Sequence, residues 1–177
     1  MNPEQTLKPK FCINCGSPLI KLTIESHFHY ECTSCAYIHW LNSRPCVDAI
    51  IVQEKNILLT QRGIEPHKGK WDLPGGFLEL GEHPVEGLHR EIAEELGAKV
   101  EIVKFIGHYI DIYGDDPFIQ TLNCSYLCRL KTTIKFTNDD VVAYQWFPLE
   151  NLPVNIAFPH FKQVLNDCHN DIIQLQL

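Results

Sequence analysis

Acidic side chains are concentrated between Gly76 and Ala98, in the stretch GFLELGEHPVEGLHREIAEELGA. Carboxylates this close together repel one another unless a cation lies among them. Oxygen atoms are the ligands that Mg²⁺ prefers, and such ions promote reactions of phosphorylated substrates. We therefore expect a divalent-metal site that acts on a phosphorylated substrate, built from Glu82, Glu91, Glu94 and Glu95. The alternative is a solvent-exposed acidic helix face with Arg90 as its ion-pair partner.

A helix from Pro84 to Leu96 is expected to position three of these glutamates. Proline suits the first turn of a helix, and Gly97 suits the position just past its end. Glu91, Glu94 and Glu95 fall on one arc of such a helix, and Gly87, one turn earlier, should leave open space beside them. The arc lies next to an apolar stripe that can pack on a core, formed by Val85, Leu88, Ile92 and Leu96.

The second constellation consists of two C-x-x-C pairs near the N-terminus, Cys12 with Cys15 and Cys32 with Cys35. The spacer between the pairs falls within the range of about 15–20 residues that is typical of four-cysteine zinc sites. Disulfides or a redox pair are the alternatives. Residues 1–10 are polar and lack the apolar core of a secretory signal, so we expect a cytoplasmic, reducing compartment that disfavours disulfides. Four thiolates fill a tetrahedral zinc site, which predicts a structural ion in a zinc ribbon.

The remaining cysteines have no C-x-x-C partner and are expected to be buried as small apolar groups. They are Cys46, Cys124, Cys128 and Cys168.

The acidic stretch resembles the signature of the Nudix hydrolases, GX5EX7REUXEEXGU with U apolar, at every specified position. The segment 67–76 is similar to the GxWxLPGG approach to that signature. The resemblance implies an α/β fold, an α/β/α sandwich with a mixed sheet, and hydrolysis of a nucleoside diphosphate linked to another moiety. It also implies roles for single residues. Glu91, Glu94 and Glu95 would bind Mg²⁺ or Mn²⁺ together with a backbone carbonyl of Gly75 or Gly76, and Glu82 and Arg90 would orient the carboxylates.

The general base is less well defined by the sequence. Nudix domains often supply an extra glutamate from a loop before the last strand, and residues 137–149 resemble that segment. Ala143 stands where many relatives have an acidic residue. Asp139 or Asp140 could take over, or Glu91 or Glu94 could itself deprotonate a metal-bound water.

A zinc ribbon followed by a Nudix domain resembles the NADH pyrophosphatases, which carry a further SQPWPFPxS block. The corresponding stretch here, Tyr109–Phe118, reads YIDIYGDDPF, so we expect ADP-ribose ahead of FAD or NADH. The rival hypothesis is a module that senses a nucleotide or binds a partner without hydrolysis. Contacts to phosphate or to a stacked base are expected from Arg62, Trp71, Tyr113 and Phe118, although each aromatic could instead belong to the core.

A chain of 177 residues can hold one full domain and a small appendage. We expect a tail and zinc ribbon in residues 1–42 and the Nudix domain in residues 43–177. The net charge of −7 argues against nonspecific nucleic-acid or membrane binding, and no segment has the length and apolarity of a membrane span. A homodimer is compatible with the resemblance.

Patterning predicts the elements around the acidic helix. A hairpin is expected from residues 47–53 and 57–62, and a short strand from Trp71 to Glu79 should lead into the helix. Further strands are predicted over residues 100–113, 119–131 and 141–148, and a second helix over residues 159–168.

Overall fold

The structure is a computed structural model that describes residues 9–24, 27–136 and 140–174. A small antiparallel sheet near the N-terminus has the strand order β1-β2-β3. Its strands are β1 (Leu19–Ile24), β2 (His27–Cys32) and β3 (Ile38–His39). The first two pair antiparallel and connect the two cysteine pairs.

The larger sheet is mixed, with the order β10-β5-β4-β9-β8 and two short strands attached to it. At its centre, β4 runs parallel to β9 and antiparallel to β5. The strands are β4 (Arg44–Gln53), β5 (Asn56–Arg62), β6 (Trp71–Asp72), β7 (Gly75–Phe77), β8 (Val100–Ile112), β9 (Gln120–Leu130) and β10 (Val141–Pro148).

Two helices cover opposite faces of this sheet. The helix α1 (Pro84–Leu96) packs on alternate residues of β4 such as Val47 and Ile51, and α2 (His160–Gln174) packs on the intervening residues such as Ile50 and Val52. Because β4 is buried on both faces, its central residues read as a nearly continuous apolar run. The α/β/α sandwich with a mixed sheet is therefore confirmed.

The first helix has the predicted bounds, and local chemistry sets them. The ring of His83 accepts a hydrogen bond from the Val85 N–H, Pro84 follows as the first helical residue, and Gly97 ends the helix in the left-handed conformation. The second helix extends beyond the predicted residues 159–168, because Ile172 continues its buried stripe.

The prediction of one strand from Trp71 to Glu79 is wrong. The chain instead forms β6, which pairs with β5, and β7, which pairs with β4. The residues between them cannot continue a ladder, since the Leu73 N–H is bound by the side chain of Asp72 and Pro74 has no N–H. Within the described part of the chain, neither helix is long and apolar enough to cross a membrane.

Candidate active site

A cavity of about 250 Å³ opens where β7, α1 and the ends of β4 and β5 meet. Gly75, Gly76, Glu91 and Glu95 line it, so the chain brings together four of the residues expected at the metal site. Glu94, which follows Glu91 by three residues on the same helix, is exposed and is not among the residues that line the cavity.

The glycine pair is required by close packing. The φ of Gly75 is +150°, and a Cβ there would collide with the carbonyl oxygen of Val47 on β4. A Cβ on Gly76 would lie 2.6 Å from the carboxylate of Glu91. The backbone can therefore approach both the central strand and the acidic helix only because these two positions have no side chain.

Arg90 connects the loop before α1 to the acidic face of the helix. Its guanidinium donates two hydrogen bonds to Glu82, at 2.7 and 2.8 Å, and one to the carbonyl oxygen of Phe77 at 3.0 Å. It also donates to Glu91 at 2.8 Å and to Glu94 at 3.1 Å. This geometry fits the predicted orienting role of Glu82 and Arg90, since one planar group fixes three carboxylates.

The electrostatics of the acidic face favour an added cation. Hydrogen bonds from Arg90 lower the pKa of Glu82 to about 2. Burial raises the pKa of Glu91 and raises that of Glu95 well above its ordinary value, although the Gly75 N–H donates to Glu95 at 3.1 Å. Negatively charged neighbours further disfavour the ionised form of both Glu91 and Glu95. Arg90 therefore does not compensate the whole negative charge of the acidic face.

Glu91, Glu94 and Glu95 do not converge on a common point. In the described ranges, the four ribbon cysteines are the only group of three or more His, Cys, Asp or Glu residues whose ligand atoms all lie within 4.8 Å of one another. The carboxylates are instead spread between Arg90 and the Gly75 N–H. Their oxygen atoms are the ligands that a hard divalent cation prefers, and their uncompensated negative charge favours such an ion.

Gly87 is tightly packed, contrary to the expectation of open space. A Cβ at this position would collide with the Leu78 side chain and lie 2.9 Å from Glu82 Oε2. The glycine thus lets the loop that carries Glu82 lie against the helix.

The residues expected to bind substrate divide into two groups. Arg62 and Tyr113 line the cavity beside Phe158, whose ring stacks on that of Tyr113 with centroids 5.8 Å apart. Trp71 packs against Phe147 in the core below α2, and Phe118 contacts Phe28 of the small sheet, so neither is among the cavity-lining residues.

Arg62 is held in place by several contacts. It donates to Asp72 at 3.2 Å and to the carbonyl oxygen of Pro66 at 2.7 Å, and its guanidinium carbon lies 5.2 Å from the centre of the Phe158 ring. Burial raises the pKa of Asp72 to about 6, although the positive charge of Arg62 opposes this shift.

Sequence reasoning missed a buried cluster formed by Asp48, Asp111 and His160, of which Asp48 and His160 line the same cavity. Asp111 accepts hydrogen bonds from the backbone N–H of His160 at 2.9 Å and pairs with its ring Nδ1 at 2.9 Å. The ring Nε2 lies 3.4 Å from Asp48 Oδ2. Burial alone would lower the pKa of His160, but the two carboxylates outweigh it and raise that pKa to about 9. The sequence held one signal of this cluster, which is Asp48 in the middle of the apolar strand β4.

The possible bases are placed differently. Ala143 lies in β10, Asp140 lines the cavity, and Asp139 lies outside the described residues.

The N-terminal cysteines form a compact cluster. Cys12 and Cys35 have their sulfur atoms 3.6 Å apart, and those of Cys15 and Cys32 are 3.5 Å apart. Four sulfur ligands around zinc at about 2.3 Å would be about 3.8 Å apart, so the cluster fits a tetrahedral ion. The backbone N–H groups of Asn14 and Ser34 donate to the sulfur atoms of Cys12 and Cys32. The other four cysteines are buried, as predicted.

Comparison with known proteins agrees with this geometry. The family model described as "NUDIX domain" matches residues 42–167. An ADP-ribose pyrophosphatase from Methanocaldococcus jannaschii is 34% identical over 126 residues, which are 71% of this chain and 73% of the relative. The NAD-capped RNA hydrolase NudC from Salmonella agona is 27% identical over 82% of this chain, which spans only 54% of that relative's length.

Among solved structures, a NUDIX hydrolase from Nitrosomonas europaea superposes with a TM-score of 0.74 at 30% identity, over 92% of each chain. Residues 42–177 make up only about three quarters of this chain, so that similarity extends into the N-terminal cysteine-containing unit. An ADP-ribose pyrophosphatase from Streptococcus suis superposes with a TM-score of 0.58 at 25% identity, over 73% of this chain and 92% of that one.

Proposed function

The chain belongs to the Nudix hydrolase family, and we propose that it is a Mg²⁺-dependent pyrophosphatase that cleaves nucleoside diphosphates linked to another moiety, with ADP-ribose as the favoured substrate. One observation carries this proposal: the acidic residues Glu91 and Glu95 line the same cavity as Arg62, Tyr113 and Phe158. Aromatic rings provide a stacking surface for a nucleobase, so a base and a diphosphate can be bound side by side.

Glu91, Glu94 and Glu95, with a backbone carbonyl of Gly75 or Gly76, would hold the magnesium or manganese ion. When bound, such an ion neutralises a diphosphate and makes water acidic enough to supply a nucleophile at neutral pH. The chain prepares this site by fixing its ligands. Arg90 holds Glu91 and Glu94 relative to the loop, and the Gly75 N–H holds Glu95.

For the proton of the attacking water, we propose Asp140 as the acceptor, with Glu91 or Glu94 as alternatives. Asp140 lines the cavity and precedes β10, whereas the side chain of Ala143 cannot accept a proton. The four cysteines of the ribbon are proposed to bind a structural zinc ion, because the four thiolates leave no open position for catalysis.

ADP-ribose is favoured because the relative at 34% identity is named for its hydrolysis. The NAD-capped RNA hydrolases are matched over about half of their length. The segment Tyr109–Phe118 also lacks the SQPWPFPxS block of the NADH pyrophosphatases. FAD and NADH rank behind ADP-ribose as alternative substrates.

The test is a turnover screen of the purified chain with ADP-ribose, FAD, NADH, diadenosine polyphosphates and capped RNA, with and without Mg²⁺ or Mn²⁺. We expect metal-dependent release of AMP, fastest from ADP-ribose. Binding of ADP-ribose without release of a nucleoside monophosphate from any of these compounds would refute the proposal. That outcome would favour the nucleotide-sensing module instead.

A further inference from the structure

Asp48 is a buried carboxylate whose hydrogen-bonding capacity is unused. It is 5% exposed and lines the cavity, and neither of its oxygen atoms has a hydrogen-bond partner in the part of the chain that the structure describes. Burying a carboxylate without partners is costly, and most buried polar groups are therefore satisfied. Two oxygen atoms that accept no hydrogen bond and face a cavity are suited to accept hydrogen bonds from a ligand.

The neighbours of Asp48 hold an imidazole ring in a fixed position beside it. The His160 Nε2 lies 3.4 Å from it, and the opposite ring nitrogen of His160 is held by Asp111 at 2.9 Å. The backbone N–H of His160 is bound to the same Asp111 oxygen. The imidazole therefore cannot turn away from Asp48, and its Nε2 stays directed at this carboxyl group.

The chemistry of the surrounding cavity wall identifies the ligand group. Buried polar side chains line the same cavity as Asp48, namely Thr60, Thr121 and Asn123, and the aromatic pair of Tyr113 and Phe158 lines it as well. A carboxylate accepts hydrogen bonds and donates none. A vicinal diol offers two donors, while the adenine edge at N6 offers a donor beside an acceptor. The polar part of the wall thus suits a sugar, and the aromatic part suits a base.

The position of Asp48 in the sheet places it next to the expected diphosphate site. Asp48 on β4 is the direct cross-strand partner of Gly75 on β7. A ribose is bonded to the diphosphate through its 5′ oxygen, so its hydroxyl groups lie within one sugar ring of the phosphates. Carboxylates bind ribose hydroxyls in this way in other nucleotide-binding folds.

We propose that Asp48 binds the substrate by accepting hydrogen bonds from the hydroxyl groups of a ribose, with His160 as the residue that positions it. This inference rests on the proposed function only in assuming a nucleotide substrate. The ribose belongs either to the adenosine or to the terminal sugar of ADP-ribose. The two sources present the same donors and are separated by the choice of ligand below.

The experiment measures binding of hydrolysis products by calorimetry, so it does not depend on turnover. AMP is compared with 2′,3′-dideoxy-AMP, and ribose 5-phosphate with 2-deoxyribose 5-phosphate. Since a hydrogen bond to a charged group contributes about 1.5–3 kcal/mol, the wild type should bind the hydroxylated member of at least one pair about tenfold or more tightly. Preference within the first pair assigns the adenosine ribose, and preference within the second assigns the terminal ribose.

Asp48→Asn should abolish the preference that the wild type shows. The matched control is Asp167→Asn. It makes the same chemical change in a carboxylate that accepts from the Tyr109 hydroxyl at 2.7 Å and is not among the cavity-lining residues, and it should leave the preference unchanged. If Asp48→Asn does not fold, NMR of the wild type alone still tests the inference. The imidazole NMR signals of His160 should shift with the hydroxylated ligand and not with its deoxy counterpart.

Equal binding within both pairs, a preference that survives in Asp48→Asn, or His160 signals that respond equally to both members of a pair would each overturn the inference. These outcomes differ from failure of the proposed function. A chain that discriminates AMP from its dideoxy analogue and releases no AMP from any tested substrate would retain the sugar site and lose the enzymatic assignment.

Discussion

Raising the pH from 6 to 10 should remove the stabilisation that the protonated ring of one buried group, His160, provides. The ring is buried and lies beside the carboxylates of Asp48 and Asp111, with the charge of Asp72 nearby. These groups raise its pKa from 6.5 to about 9. Because the pKa is higher in the folded state, the folded protein binds the proton more tightly than the unfolded chain does. The stabilisation is therefore complete below pH 6.5 and is lost as the pH rises through about 9.

The size of the effect follows from the shift of the pKa. Each unit corresponds to about 1.4 kcal/mol, so a rise from 6.5 to about 9 gives about 3 kcal/mol. Little solvent screening applies, because the side chains of His160 and Asp48 are 5% and 8% exposed. A change of this size is a large part of the net stability of a domain, which is about 5–15 kcal/mol.

The assay is urea unfolding at pH 6 and pH 10 in metal-free buffer, with the wild type, His160→Gln and His169→Gln. His169 is an exposed histidine on the same helix and serves as the control. The measured quantity is the difference in the free energy of unfolding between the wild type and His160→Gln. This difference should be about 3 kcal/mol larger at pH 6 than at pH 10. His169→Gln should follow the wild type. Parallel pH profiles for the wild type and His160→Gln would refute the reasoning.

Three further predictions concern the metal site, its support and the ribbon. Glu95→Gln should slow AMP release from ADP-ribose, measured by chromatography, by about 100-fold or more. The thermal midpoint, measured by calorimetry, should stay equal or rise, because an amide avoids the cost of burying an ionised carboxylate. An unchanged rate would contradict the role. Arg90→Lys should lower the free energy of urea unfolding by about 2 kcal/mol, since an ammonium cannot reproduce the forked contacts to Glu82; unaltered stability would show that the contacts are dispensable. Cys32→Ser should remove bound zinc, measured by atomic emission, and lower the thermal midpoint without abolishing hydrolysis; full zinc content would argue against this ligand.

Local patterns predicted the elements whose structure is set locally. The proline at the first turn of α1 and the glycine after its end set the bounds that the structure has. The cysteine spacing predicted a cluster because the two pairs are joined by a short hairpin, which the pairing of β1 with β2 supplies. In each case, residues a few positions apart contain the whole signal.

The cluster of Asp48, Asp111 and His160 could not be predicted in this way. Asp48 lies on β4, Asp111 on β8 and His160 at the start of α2. These residues meet only because β9 pairs with β4 on one side and β8 on the other, while α2 returns across the sheet. Neither charge nor spacing along the sequence contains that arrangement. The same limit explains Trp71 and Phe118, whose aromatic character is equally suited to core packing and to a base.

The break in the predicted strand from Trp71 to Glu79 is what joins the two halves of the site. If β6 continued, the glycine pair would stay on the edge of β5, where Trp71 and Asp72 already pair. Because Leu73 and Pro74 interrupt the ladder, the chain crosses to β4, and Gly75 comes to lie opposite Asp48. Asp72 remains with Arg62 on the other side of the break. A sequence that favours a continuous strand at Leu73 and Pro74 would therefore separate the acidic helix from the sugar site, even with every charged residue retained.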